Sequence, residues 1–127
     1  MDLIVDFEFD AAHKLPRYSG KCKQLHGHRY KLKVMLAGSV NKETGMVIDF
    51  KKIVSIVKSS VIDILDHNFL NNIIKNPTAE NTIIWIWKKL ETKFKNSDAM
   101  LKQLQLWETP NASVIYKGSL KKGKNVK

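Results

Sequence analysis

The sequence predicts an α+β domain in which two helices cover one face of a four-stranded antiparallel sheet, in the order strand-strand-helix-helix-strand-strand. Three observations carry the prediction. Apolar and polar residues alternate with period two through the first third of the chain, apolar residues recur at helical spacing through the middle, and the period-two pattern returns near the end.

In the first strand Leu3, Val5, Phe7 and Phe9 alternate with Asp2, Asp6, Glu8 and Asp10, and His13 continues the apolar parity. Positions 16–21 contain Pro, Tyr, Ser and Gly, a loop composition. A second strand is expected over about 27–36. There His26 and His28 share parity with Tyr30, Leu32, Val34 and Leu36, while Lys31 and Lys33 take the other face. Positions 38–45 read as a turn bounded by glycines. Asp49 then stands where a helix N-cap is expected, and Phe50, Ile53, Val54, Val57, Val61, Ile64 and Leu65 follow at helical spacing to an end near Asp66. Asn76-Pro77-Thr78 supplies a breaker and a cap for a second helix whose buried stripe is Ile83, Trp87, Leu90 and Phe94. Two closing strands, one with Leu104, Leu106 and Glu108 in phase and one with Val114 and Tyr116, are separated by Pro110-Asn111. A small sheet with open edges and one face free of helices tends to associate, so a ring-like homo-oligomer is expected.

The 127 residues, 43% of them hydrophobic, suffice for one domain over 1–127 without staples, with about 120–127 as a flexible basic tail. A single cysteine rules out an intrachain disulfide and Cys-rich structural zinc modules. No apolar run approaches the roughly 18 residues of a membrane span, and none forms a signal peptide. A cytoplasmic protein with no membrane partner is the expectation. The formal charge of +10 narrows a partner only to something acidic. Lys14, Arg17, Lys21, Lys23 and Arg29 cluster in sequence near the histidines, where several phosphates on a small molecule would be attracted. A nucleic-acid-binding module with structural zinc is the rival from another class. It is disfavoured because no stacking-aromatic motif accompanies the lysines.

His13, His26 and His28 all lean to the inward face. A buried imidazole must be hydrogen-bonded or metal-bound, and three together form a set of neutral nitrogens suited to Zn2+ with a fourth position open. Cys22, four residues before His26 and among Lys21, Lys23 and Gln24, is either a thiolate base or nucleophile or a small buried apolar residue. Asp66 and His67 offer a carboxylate and an imidazole at a helix end, but adjacent residues do not face each other on a helix, so spacing leaves their pairing open. Glu108 places a carboxylate at the inward end of an apolar strand. It pairs with a local lysine or accepts two parallel N–H donors from a guanidine-like ligand edge, such as that of a pterin or guanine.

Together Phe9-Asp10-Ala11-Ala12-His13, Cys22-Lys23-Gln24-Leu25-His26-Gly27-His28, Gly45-Met46-Val47-Ile48-Asp49-Phe50, Leu65-Asp66-His67-Asn68-Phe69-Leu70-Asn71, Pro77-Thr78-Ala79-Glu80-Asn81, Glu108-Thr109 and Ile115-Tyr116-Lys117-Gly118 resemble the family of 6-pyruvoyl- and 6-carboxy-tetrahydropterin synthases. The resemblance runs from about residue 5 to 119. It implies a tunnelling fold, in which three subunits join their sheets into a barrel, two trimers stack into a hexamer, and active sites form between subunits. It implies zinc on His13, His26 and His28, Cys22 as catalytic thiolate, Asp66 with His67 as a proton relay from a neighbouring subunit, and a pterin bound by Glu108 with Thr78 and Glu80. Three residues between Cys22 and His26, with the Ile48-Asp49-Phe50 ending, resemble the 6-carboxy branch, since the pyruvoyl branch has a longer gap. A further branch carries glutamate in place of the cysteine, which Cys22 argues against. The implied reaction converts 7,8-dihydroneopterin triphosphate to 6-carboxy-tetrahydropterin with loss of acetaldehyde and triphosphate, on the route to queuosine. The alternative is the 6-pyruvoyl product, with triphosphate eliminated and the side chain kept.

Overall fold

The computed structural model describes residues 1–15, 20 and 24–119. Strand β1 (Asp2–His13) and strand β2 (His26–Ala37) pair antiparallel along their whole length, from Asp2 opposite Ala37 to His13 opposite His26. The alternation in sequence is the alternation in burial: Phe9, Ala11 and His13 on β1 and Tyr30, Leu32, Val34 and Leu36 on β2 are buried, while Glu8 and Arg29 on the opposite parity are exposed. The outward parity carries a charge ladder in which Arg29 grips Asp10 through two bonds of 3.0 and 3.1 Å and Lys31 stands 3.7 Å from Asp6.

Asp49 caps helix α1 (Phe50–Val57) by accepting the Lys51 N–H at 2.9 Å. Helical structure continues through a π-helical turn over Lys58–Ile62 into the short α2 (Asp63–Leu65), so the expected single helix contains a widened turn. Phe50 and Val54, placed on the apolar stripe by spacing, are exposed, and the stripe that meets the sheet is Ile53, Val57, Val61 and Leu65. Helix α3 (Ala79–Phe94) begins at Thr78, whose hydroxyl accepts the Asn81 N–H at 3.0 Å, and buries Ile83, Ile86, Trp87, Leu90 and Phe94.

Strands β4 (Met100–Thr109) and β5 (Ala112–Tyr116) form the closing hairpin, and β4 lies beside β2. The sheet departs from the expected four antiparallel strands. A two-residue strand β3 (Asn68–Phe69) runs parallel to β1, placing Asn68 opposite Ala11, and makes a mixed five-stranded sheet in the order β3-β1-β2-β4-β5. The cause is the exit from α2: Asp66 is extended (ψ 132°) and His67 is left-handed (φ 59°), which turns the chain back along the edge of β1. Among the described residues no helix is long and apolar enough to cross a membrane. The expected basic tail lies outside the described residues.

Candidate metal centre and adjoining clefts

The ends of β1 and β2 bring His13, His26 and His28 together, one ligand nitrogen from each lying within 4.8 Å of the others. His13 is fully buried. Its Nδ1 is 2.8 Å from the Pro77 carbonyl oxygen, and His26 Nδ1 is 2.8 Å from the Gln24 carbonyl oxygen. A carbonyl only accepts, so both Nδ1 atoms carry the proton and both Nε2 atoms present lone pairs. Those two Nε2 atoms face each other at 2.9 Å. Two lone pairs at that distance repel unless a cation or a proton stands between or beside them. His28 Nε2 is buried with no hydrogen-bond partner among the described residues. Burial chiefly lowers the His28 pKa, with His13 and His26 lowering it further and Glu108 opposing them. That keeps the ring in the neutral, ligand-competent form. The donor set therefore fits a divalent metal ion: three imidazoles, two with backbone carbonyls fixing the tautomer, and one with an orphaned nitrogen.

Glu108, at the end of β4, stands 3.9 Å from both His13 Nε2 and His28 Nε2, and 27% of its side chain is exposed. Its ionic neighbours among the described residues are these histidines and no lysine. No described residue donates a hydrogen bond to its carboxylate. A cleft of about 440 Å³ joins Glu108 to Thr78 and Glu80 at the start of α3 and to Leu15, Ser113 and Val114. The three positions expected to bind substrate are thus brought together. The Thr78 hydroxyl is already committed to capping α3.

Asp66 and His67 do pair: His67 Nδ1 lies 3.0 Å from Asp66 Oδ2. The left-handed backbone at His67 folds its side chain back on the preceding carboxylate, which a continued helix forbids. Asp10 on β1 holds both, its N–H donating to Asp66 Oδ1 at 2.9 Å and its carbonyl accepting the His67 N–H at 2.6 Å. The Asp66 carboxyl is held below its ordinary pKa, first by the Asp10 N–H and then by His67. His67 is 78% exposed and opens on a second cleft of about 530 Å³ with Asp10, Ala12, Gly27, His28 and Arg29. Within one chain the dyad and the three histidines form separate groups of ligand atoms, while His28 and His67 line one and the same cleft. Cys22, with Arg17, Lys21 and Lys23, lies outside the described residues.

Tyr30 was not singled out by sequence beyond its parity. It is fully buried, stacks on Phe9 at 4.9 Å and places its hydroxyl 3.3 Å from His13 Nδ1, with burial raising its pKa. Asn71 was equally silent, although its amide accepts the Lys14 N–H and donates to the Lys14 carbonyl, each at 2.9 Å, continuing the β3–β1 ladder with a side chain.

The fold is a five-stranded α+β sheet that gathers three inward histidines, a set able to hold a metal ion, beside a cleft into which a carboxylate without a described hydrogen-bond donor opens. The chain belongs to the 6-pyruvoyl tetrahydropterin synthase family, whose model matches residues 2–119. It is 40% identical over 92 residues to a 6-carboxy-5,6,7,8-tetrahydropterin synthase of Synechocystis, covering 68% of this chain and 71% of that one. It is 39% identical over 106 residues to a dihydroneopterin monophosphate aldolase of Pyrococcus furiosus, covering 84% and 88%. Among solved structures, the 6-pyruvoyl tetrahydropterin synthase of Caenorhabditis elegans superposes with a TM-score of 0.83 at 32% identity, covering 94% of this chain and 96% of that one.

Proposed function

We propose that the protein is a zinc-dependent lyase that converts 7,8-dihydroneopterin triphosphate and one water to 6-carboxy-5,6,7,8-tetrahydropterin with release of acetaldehyde and triphosphate, in the cytoplasm on the route to queuosine. The observation that carries the reading is the three-histidine cluster with its orphaned nitrogen beside Glu108. The choice of the carboxy product is supported by the synthases so named among the relatives, at 31–40% identity. His13, His26 and His28 hold Zn2+, which when bound supplies a Lewis acid for the side-chain oxygens of the substrate. Glu108 accepts two N–H donors from the pterin ring and, with Thr78 and Glu80, orients it in the 440 Å³ cleft. Cys22 acts as the base. Asp66 fixes the tautomer of His67: Nδ1–H donates to the carboxylate, so Nε2 is free to take and return a proton, a task worth about 10²–10⁴-fold when well placed.

The exposure of His67 on the cleft it shares with His28 supports an active site to which a neighbouring subunit contributes, as in a barrel-forming homohexamer of two trimers. Incubation of the zinc-loaded protein with 7,8-dihydroneopterin triphosphate, followed by mass analysis, tests the proposal. Acetaldehyde with 6-carboxy-tetrahydropterin is expected. A product retaining the three-carbon side chain identifies the 6-pyruvoyl reaction instead, and turnover only of the monophosphate with side-chain loss identifies an aldolase.

A further inference from the structure

We propose that Asn81 is a positioning residue for the metal centre: by gripping the turn Asn76-Pro77-Thr78 it aims the Pro77 carbonyl at His13 Nδ1 and so holds the His13 ring in the tautomer that binds metal. The inference rests on the reading of the three histidines as a metal site. Asn81 is exposed on the first turn of α3, and its hydrogen bonds go to Thr78 and Asn76, not to the histidines.

The Pro77 carbonyl shares one planar peptide unit with the Thr78 N–H, so whatever fixes that N–H also fixes the direction of the carbonyl. The turn is tight. The Thr78 N–H donates to the Asn76 carbonyl at 2.8 Å, closing a three-residue loop around the proline, and Asn76 is left-handed at φ 49°. Such a loop holds poorly alone. Asn81 grips both of its ends: its Nδ2 donates to the same Asn76 carbonyl at 2.9 Å, and its backbone N–H donates to the Thr78 hydroxyl at 3.0 Å. The carbonyl that receives the His13 Nδ1–H is thereby attached to a 16-residue helix and not to a free loop. If the turn relaxes, His13 Nδ1 keeps only the Tyr30 hydroxyl at 3.3 Å, a group that can donate as well as accept, so both neutral tautomers become accessible and part of the population presents N–H where a lone pair is required.

Asn81→Asp separates positioning from stability. A carboxylate in the first turn still complements the helix dipole and the backbone bond to Thr78 is retained, but the side chain can no longer donate to the Asn76 carbonyl. Asn81→Ala removes the same donor with a good helix former. The readouts are zinc affinity by competition with a chromophoric chelator, the visible spectrum of the Co2+-loaded protein, and the thermal midpoint of the metal-free protein. Zinc binding about 10–100-fold weaker in both variants, with an altered cobalt spectrum and an unchanged midpoint for Asn81→Asp, is expected. Wild-type affinity and spectrum in both variants overturn the proposal, as does loss of the folded circular dichroism signal in both, which makes Asn81 merely structural. A wild-type protein that binds no zinc overturns the metal reading itself, a distinct result.

Discussion

Replacing Glu108 with Gln is expected to weaken pterin binding by about 30–150-fold without releasing zinc. The carboxylate stands with both oxygens free of described donors, so a ring presenting two parallel N–H groups finds two acceptors. Glutamine keeps one acceptor and turns a donor towards the second N–H. Truncating one side of a buried charge-assisted pair costs about 2–5 kcal/mol. With 27% of the side chain exposed, water screens part of that interaction, which places the loss near the lower end, about 2–3 kcal/mol, or the stated fold-change. The assay is a fluorescence titration of a non-reacting pterin against both proteins, with zinc content measured in parallel. Equal affinities would refute the anchoring role. Loss of zinc together with pterin would show instead that the carboxylate, 3.9 Å from two imidazole nitrogens, works chiefly for the metal.

His28→Ala, which removes the nitrogen left without a partner, is expected to strip most bound zinc while circular dichroism stays that of the wild type; stoichiometric zinc in the variant contradicts the ligand assignment. Cys22→Ala is expected to keep zinc and pterin binding and lose turnover, and activity near that of the wild type removes the thiolate from the mechanism. The depressed pKa of Asp66 means that its contribution to stability is present above the ordinary carboxylate range and is lost as pH falls through its folded value. Asp66→Asn should therefore flatten the acid limb of the urea midpoint against pH; an unchanged limb denies the contribution. Gly118→Ala puts a Cβ 2.6 Å from the Trp87 ring at a left-handed φ of 88°, and a loss of about 2–4 kcal/mol in chemical denaturation is expected. A wild-type midpoint would mean that the segment after β5 shifts freely.

The histidine cluster was legible because it rests on strand parity, a local property: His13 keeps phase with Phe9, and His26 and His28 keep phase with Tyr30 and Leu32, so the paired strands had only to align their ends. The caps at Asp49 and Thr78 were legible for the same reason. Strand β3 was not. Two residues show no alternation, and their pairing with Ala11 and Ala12 depends on the left-handed turn at His67 rather than on composition. That turn also decides the Asp66–His67 contact, which helical spacing left open. The Pro77 and Gln24 carbonyls that fix two imidazoles belong to the backbone, whose direction no residue type announces. Asn71 and Asn81 act through backbone partners too and left no signal beyond turn chemistry.

X-ray absorption at the zinc edge of the metal-loaded protein tests the open three-histidine centre most directly. Three nitrogen ligands at about 2.0–2.1 Å with one further light atom are predicted. A sulfur shell at about 2.3 Å would make Cys22 the fourth ligand and close the site, and failure to bind zinc stoichiometrically would contradict the account at its centre.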